Sequence, residues 1–148
     1  MIAAAVADLE SQARPVPLGQ RRTLAERRLY RVRARLVGAQ VGQGGEIELV
    51  LADLRNGATI TAGLPDEQCT RSAPSPRRAS MASARAAFLQ RCGAVSGASL
   101  VRLRGVVTVT GVGFFAPAGA ADVARNGFGL KPVLRFAAGS CARAHGAS

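Results

Sequence analysis

Three arginines pose the chemical question. Arg31, Arg33 and Arg35 alternate with Tyr30, Val32, Ala34 and Leu36 within residues 29–41. In a strand, residues two apart share a face, so the apolar side chains point one way and the guanidinium groups the other. A guanidinium holds its charge at any ordinary pH and presents a planar fork of donors that fits phosphate or carboxylate. Like charges ~7 Å apart along a strand repel unless an anion or an acidic neighbour relieves them. Glu46 and Glu48 lie on the following strand. The stripe therefore reads equally as charge pairing across a hairpin or as anion binding. Arg102, Arg104 and Lys131 lie in later strand patterns and extend the basic set.

Catalytic chemistry finds less support. His145, the only histidine, sits among Ala, Arg and Gly close to the last residue. That leaves Ser/His/Asp and Cys/His arrangements without a usable base. Asp66-Glu67 reads as a solvated loop pair. Gly111-Val112-Gly113 lies within a strand, and residues 42–45 lack the lysine and helix that follow a phosphate loop. Cys69, Cys92 and Cys141 have no C-x-x-C spacing, so a zinc site is rejected. A Cys69–Cys92 disulfide is the pairing expected of an exported protein, and free thiols of a reducing compartment. No catalytic residue, metal or cofactor is assigned.

The net charge is +11, and Lys131 is the only lysine. Such a balance fits a polyanion partner, meaning nucleic acid, an anionic membrane surface or an acidic protein. It also fits the Ala-, Arg- and Gly-rich coding of a GC-rich gene. Base-stacking groups are scarce: Tyr30, Phe88, Phe114, Phe115, Phe128 and Phe136 are the whole supply. Phe114, Phe115 and Phe128 are expected to fill a core. No segment reaches the roughly 20 apolar residues of a membrane span. As written the chain is expected in the cytosol, and exported if the true start lies upstream of Met1.

The elements that must position these groups follow in chain order. Residues 2–12 carry Val6 and Leu9 at helical spacing, closed by the proline-bearing residues 14–19. Residues 20–28 read as a basic lead-in. Strands follow at 29–41, 46–54 and 58–64, joined by turns at 42–45 and at Asn56-Gly57, a type I′ signal. A loop covers 65–78. A helix is expected over 79–92, capped by Ser80, with a stripe of Met81, Ala84, Phe88 and Leu89 and a stop at Gly93.

The strongest strand signal is residues 100–115, LVRLRGVVTVTGVGFF. Leu103, Val107 and Val109 share one face, and Arg102, Arg104, Thr108 and Thr110 the other. Its glycines suggest the bends of a small closed barrel. A last strand covers 128–136, with Pro132 at an edge or bulge. The order β-β-β-α-β-β is that of an OB-fold-like five-stranded barrel. The domain plan is residues 1–28 as helix and lead-in, 29–136 as barrel, and 137–148 as disordered tail.

Residues 5–9 (AVADL), 30–36, 46–50, 57–69, and above all 107–115 with 126–133, resemble an uncharacterised family of small, mostly exported bacterial proteins. Its C-terminal signature runs V-T-G-V-G-F-F-D, then H-G, then A-P-N-x-I-E-L-H-P-V-L. The resemblance covers about residues 3–136. The chain departs at Ala116 for Asp, Ala118-Gly119 for His-Gly, Gly129 for Glu, Lys131 for His, and Glu48 for a second-strand His. The resemblance implies that any polar cluster of the family is mostly lost here, making the chain a divergent, N-terminally short member. It also implies that Cys69 matches a family cysteine whose partner lies in a segment before Met1.

The expected function is a non-catalytic binding module. Its basic face, Arg31, Arg33, Arg35, Arg102, Arg104 and Lys131, would contact nucleic acid or another polyanion without sequence specificity. The alternatives are an exported or envelope-associated structural protein, and an inactive relative of a metal-dependent enzyme.

Overall fold

The computed structural model describes residues 1–11, 28–96, 99–115 and 127–144. The proline-bearing break at 14–19, most of the basic lead-in, the loop after Phe115 and His145 lie outside them.

The organising strand is β2, Leu29–Val41. Tyr30, Val32, Ala34 and Leu36 are buried and Arg31, Arg33 and Arg35 exposed, as the alternation requires. Both edges of β2 are paired along most of its length. On one edge β6 (Val106–Phe115) runs antiparallel from Leu29↔Val112 to Arg35↔Val106. Beyond it β5 (Val101–Arg104) pairs Gly38↔Arg102. On the other edge β3 (Ile47–Ala52) pairs from Arg35↔Ala52 to Val41↔Ile47. Where β3 ends, β1 (Ile2–Ala4) takes over in parallel, from Ile2↔Tyr30 to Ala4↔Val32. Residues 2–4 are thus strand where helix was expected, because β2 would otherwise leave backbone donors and acceptors unpaired there. The helix is shorter: α1, Val6–Glu10, with Val6 and Leu9 fully buried.

β4 (Thr59–Leu64) pairs antiparallel with β3 and, at Ala62↔Leu130, parallel with β7 (Phe128–Ala138). β7 pairs antiparallel with β6. The ring β2-β3-β4-β7-β6 closes into a five-stranded mixed barrel, with one long helix, α2 (Ser75–Cys92), between its third and fourth strands. The β-β-β-α-β-β order is borne out. Closure leaves the barrel strands no free edge.

The long strand read over 100–115 is two strands, divided at Gly105. There φ is +150°, and a Cβ would lie 2.0 Å from the Ser140 carbonyl oxygen. Only glycine fits that crossing. β7 is bent by two register shifts, so Leu130, Val133 and Phe136 face the core at intervals of three rather than two. Pro132 lies in this irregular stretch, after a cis peptide bond.

Three local expectations change. The helix starts at Ser75, with Pro76 in the first turn, where a missing N–H is harmless. Ser80 is therefore interior, and its hydroxyl donates to the Pro76 carbonyl at 3.1 Å. Met81, Ala84 and Phe88 are buried, but Leu89 is 38% exposed. Gly93, at φ +86°, ends the helix as expected. Asn56-Gly57 forms no type I′ turn, since Gly57 lacks the positive φ it needs. Instead the Asn56 side chain accepts from Ala58 N at 2.8 Å.

The third change concerns the end of the chain. β7 runs to Ala138, and β8 (Ala142–Arg143) pairs with β5. Cys141 is bonded to Cys92, with their Cα atoms 5.2 Å apart. Cys69 is exposed and free. Neither the Cys69–Cys92 pairing nor three free thiols holds, because residues 139–141 return beneath the end of α2. Arg91 and Arg143 brace the same junction, donating to the carbonyls of Ala138 and Ala94.

The core lines the barrel. Phe128 meets Tyr30 and Phe115 edge-on, at centroid distances of 5.6 and 4.9 Å. Phe88 of α2 meets Phe136 the same way at 5.5 Å. Each fully buried aromatic contributes about 1.5–3 kcal/mol of transfer free energy, and edge-on contact adds about 1 kcal/mol.

Candidate anion-binding face

On the outer face of the barrel the register sets up two rungs. The first is Arg31–Thr110–Arg135 across β2, β6 and β7; the second is Arg33–Thr108–Ala137. Neighbouring strands lie about 4.8 Å apart, so the first rung spans roughly 10 Å with a hydroxyl at its centre. Met1, Arg31, Thr108, Thr110, Arg135 and Ala137 line a depression of about 320 Å³. Through Arg31 and Thr108 it joins a larger groove of about 800 Å³, which also takes in Arg33, Leu54, Arg55 and the small side chains of residues 3–5. Asp8 and Asp53 line the larger groove as well.

These carboxylates are engaged with backbone. The Asp53 carboxylate accepts from Ala7 N at 2.9 Å and from Arg55 N at 2.8 Å. Those two N–H donors, the Ala7 bond foremost, hold its pKa below the usual 3.8 against the opposing effect of burial. Asp8 accepts from Ala5 N at 3.0 Å, closing the first turn of α1. Glu10 accepts from Thr59 N at 3.3 Å. Asp53 thus ties α1 to the loop between β3 and β4, and Glu10 ties it to the first residue of β4.

The six expected basic residues do not form one set. Arg31 and Arg33 line the grooves. Arg35 turns to the Asp53 carbonyl, donating through Nη2 at 3.3 Å. Arg102 and Arg104 are exposed on β5, opposite Gly38 and Ala142, beyond the Gly105 bend. Lys131 pairs with Glu46 at 3.1 Å and stands 5.5 Å over the Phe114 ring. Phe115 and Phe128 fill the barrel as expected, but Phe114 lies under Lys131, partly exposed. The hairpin puts Glu48 opposite Gln40 and Arg35 opposite Ala52, so the glutamates do not face the arginine stripe in register.

Two members of the face escaped the sequence reading. Arg55 lies in a loop with no periodicity to orient it. Arg135 shares parity with the buried Val133, and only the β7 register shifts turn it outward. Among the described residues, no three His, Cys, Asp or Glu side chains converge where a metal could be held. No described helix is long and apolar enough to cross a membrane. What the face offers chemically is fixed positive charge and the Thr108 hydroxyl, groups suited to phosphate, sulfate or carboxylate oxygens; the buried Thr110 hydroxyl donates to Met1 Sδ.

No family model, curated protein or solved structure matches the chain.

Proposed function

We propose that this barrel is a non-catalytic binding module that takes a polyanion across the outer face of β2, β6 and β7. The observation that carries the reading is the rung Arg31–Thr110–Arg135, with Arg33–Thr108 beside it. Five arginines elsewhere brace backbone: Arg35, Arg78, Arg85, Arg91 and Arg143 donate to carbonyls. Those on the rungs line open grooves instead.

The ring order is that of the OB plan, which supports an OB-like identity. OB barrels bind single strands and oligosaccharides on their second and third strands. The corresponding strands here are β3 and β4, where Glu48 stands on β3 and Glu46 just precedes it. The basic face lies on the first, fourth and fifth barrel strands instead. Contact would be to charge rather than to base edges. Titrating a labelled polyanion against the protein over a range of salt concentrations tests the reading, since displaced counterions make such binding fall steeply with salt.

A second reading, an exported or envelope-associated protein, is supported by the Cys92–Cys141 disulfide, because such bonds persist mainly in oxidising compartments. It accords with the resemblance to a mostly exported family. The two readings are compatible where the polyanion lies outside the cytosol.

A further inference from the structure

We infer that the polyanion taken by this face is a membrane surface bearing anionic phosphate headgroups. The inference rests on the polyanion reading above and adds to it the partner's class.

Three observations favour lipid over nucleic acid. A single-strand binder combines a basic groove with aromatic platforms on which bases stack. Here Tyr30, Phe88, Phe115, Phe128 and Phe136 are buried, and Phe114 lies under Lys131, away from the rungs. Next, exposed apolar side chains adjoin the arginines. Leu54, 41% exposed, lines the larger groove with Arg31 and Arg33, and Met1, 74% exposed, lines the smaller one with Arg31 and Arg135. A phosphate backbone offers such tips no partner. A bilayer interface does, since apolar groups enter the acyl boundary while basic groups stay at the phosphates. Finally, the disulfide suits a compartment where membrane surface is available and nucleic acid is not.

The arrangement has a docking geometry. Arg31, Arg33 and Arg135 stand on paired strands of a closed barrel, so they meet the surface as a fixed triangle. Thr108 adds a hydroxyl donor between them, while the buried Thr110 hydroxyl donates to Met1 Sδ at 4.0 Å. Leu54 extends from the loop that Asp53 locks to α1. Asp8 and Asp53 reduce the attraction in the larger groove, which makes the Arg31–Arg135 rung the strongest point of contact.

The test is co-sedimentation of the whole protein with vesicles of phosphatidylcholine, with and without phosphatidylglycerol, beside titrations with single- and double-stranded DNA. The expected result is pelleting that requires phosphatidylglycerol. Arg31→Ala, Arg33→Ala and Arg135→Ala should each lower partitioning about fivefold at low salt, the share of one arginine near an anionic surface. Arg102→Ala, on β5, should leave it unchanged. Leu54→Ser should weaken vesicle binding severalfold and leave any DNA binding untouched, with circular dichroism checking each variant's fold. No pelleting with anionic vesicles, or pelleting that either the arginine or the Leu54 substitutions leave unchanged, overturns the inference. If DNA is bound through the same arginines and vesicles are not, the polyanion reading stands and the membrane inference falls. If neither is bound at low salt, both fall.

Discussion

The carboxylate of Asp53 accepts a hydrogen bond from the backbone N–H of Ala7 at 2.9 Å, across 46 residues of sequence. It is 3% exposed, and its other oxygen holds Arg55 N. One side chain thus joins α1 to the loop after β3 and shapes the wall of the larger groove. Asp53→Ala should cost about 3 kcal/mol, because hydrogen bonds to a charged group are lost and two donors are orphaned. Chemical denaturation of the two proteins measures it, and an unchanged midpoint would mean that Asp53 does not tether α1.

The same residue gives a pH signature. Its folded pKa lies below the unfolded value of 3.8, chiefly because of the Ala7 and Arg55 N–H groups. The stability it contributes is present above pH 3.8 and is lost as pH falls from there through the lower folded value. Asp53→Asn should flatten that acid limb in a plot of melting temperature against pH. A limb of equal steepness in the variant would assign it to other carboxylates.

Tyr30 is the only tyrosine, and there is no tryptophan, so absorbance reports on one group. Burial raises its pKa above 10, the nearby charge of Arg28 opposing the shift. Its contribution to stability is complete below pH 10 and lost as pH rises toward the folded value. A spectrophotometric titration should give a midpoint above that of the protein in denaturant. Coincident midpoints would mean that Tyr30 is not packed against Phe128.

The Cys92–Cys141 bond closes a loop of 49 residues, for which chain entropy yields about 4 kcal/mol. Replacing both cysteines by serine should lower stability by about 2–4 kcal/mol and the melting temperature by roughly 10 °C. The reducible part of the wild-type stability should match that loss. A reductant that lowers the melting temperature of the double variant as well would point to another cause.

The barrel was legible because its determinants are local. Alternation in β2 separates Tyr30, Val32, Ala34 and Leu36 from three arginines, and Gly93 and Gly105 mark real breaks. The outlines of the site were half legible. Arg31 and Arg33 follow from alternation, but Arg135 depends on two register shifts in β7 that no period reveals. Lys131 left the set because a parallel pairing, β4 with β7, brings it to Glu46. Cys141 found Cys92 because short, apolar-poor residues after β7 fold back under α2, a tertiary contact without a sequence period.

The claim that the β2–β6–β7 face holds polyanions is tested most directly by comparing three proteins against one labelled polyanion across a salt series. These are the wild type, the triple variant Arg31→Ala/Arg33→Ala/Arg135→Ala, and the control Arg102→Ala/Arg104→Ala/Lys131→Ala. The expected outcome is that wild type and control bind with the same steep, linear log–log dependence on salt and that the first variant does not bind. Equal losses in both variants would reduce the effect to net charge, and absence of wild-type binding at low salt would contradict the claim outright.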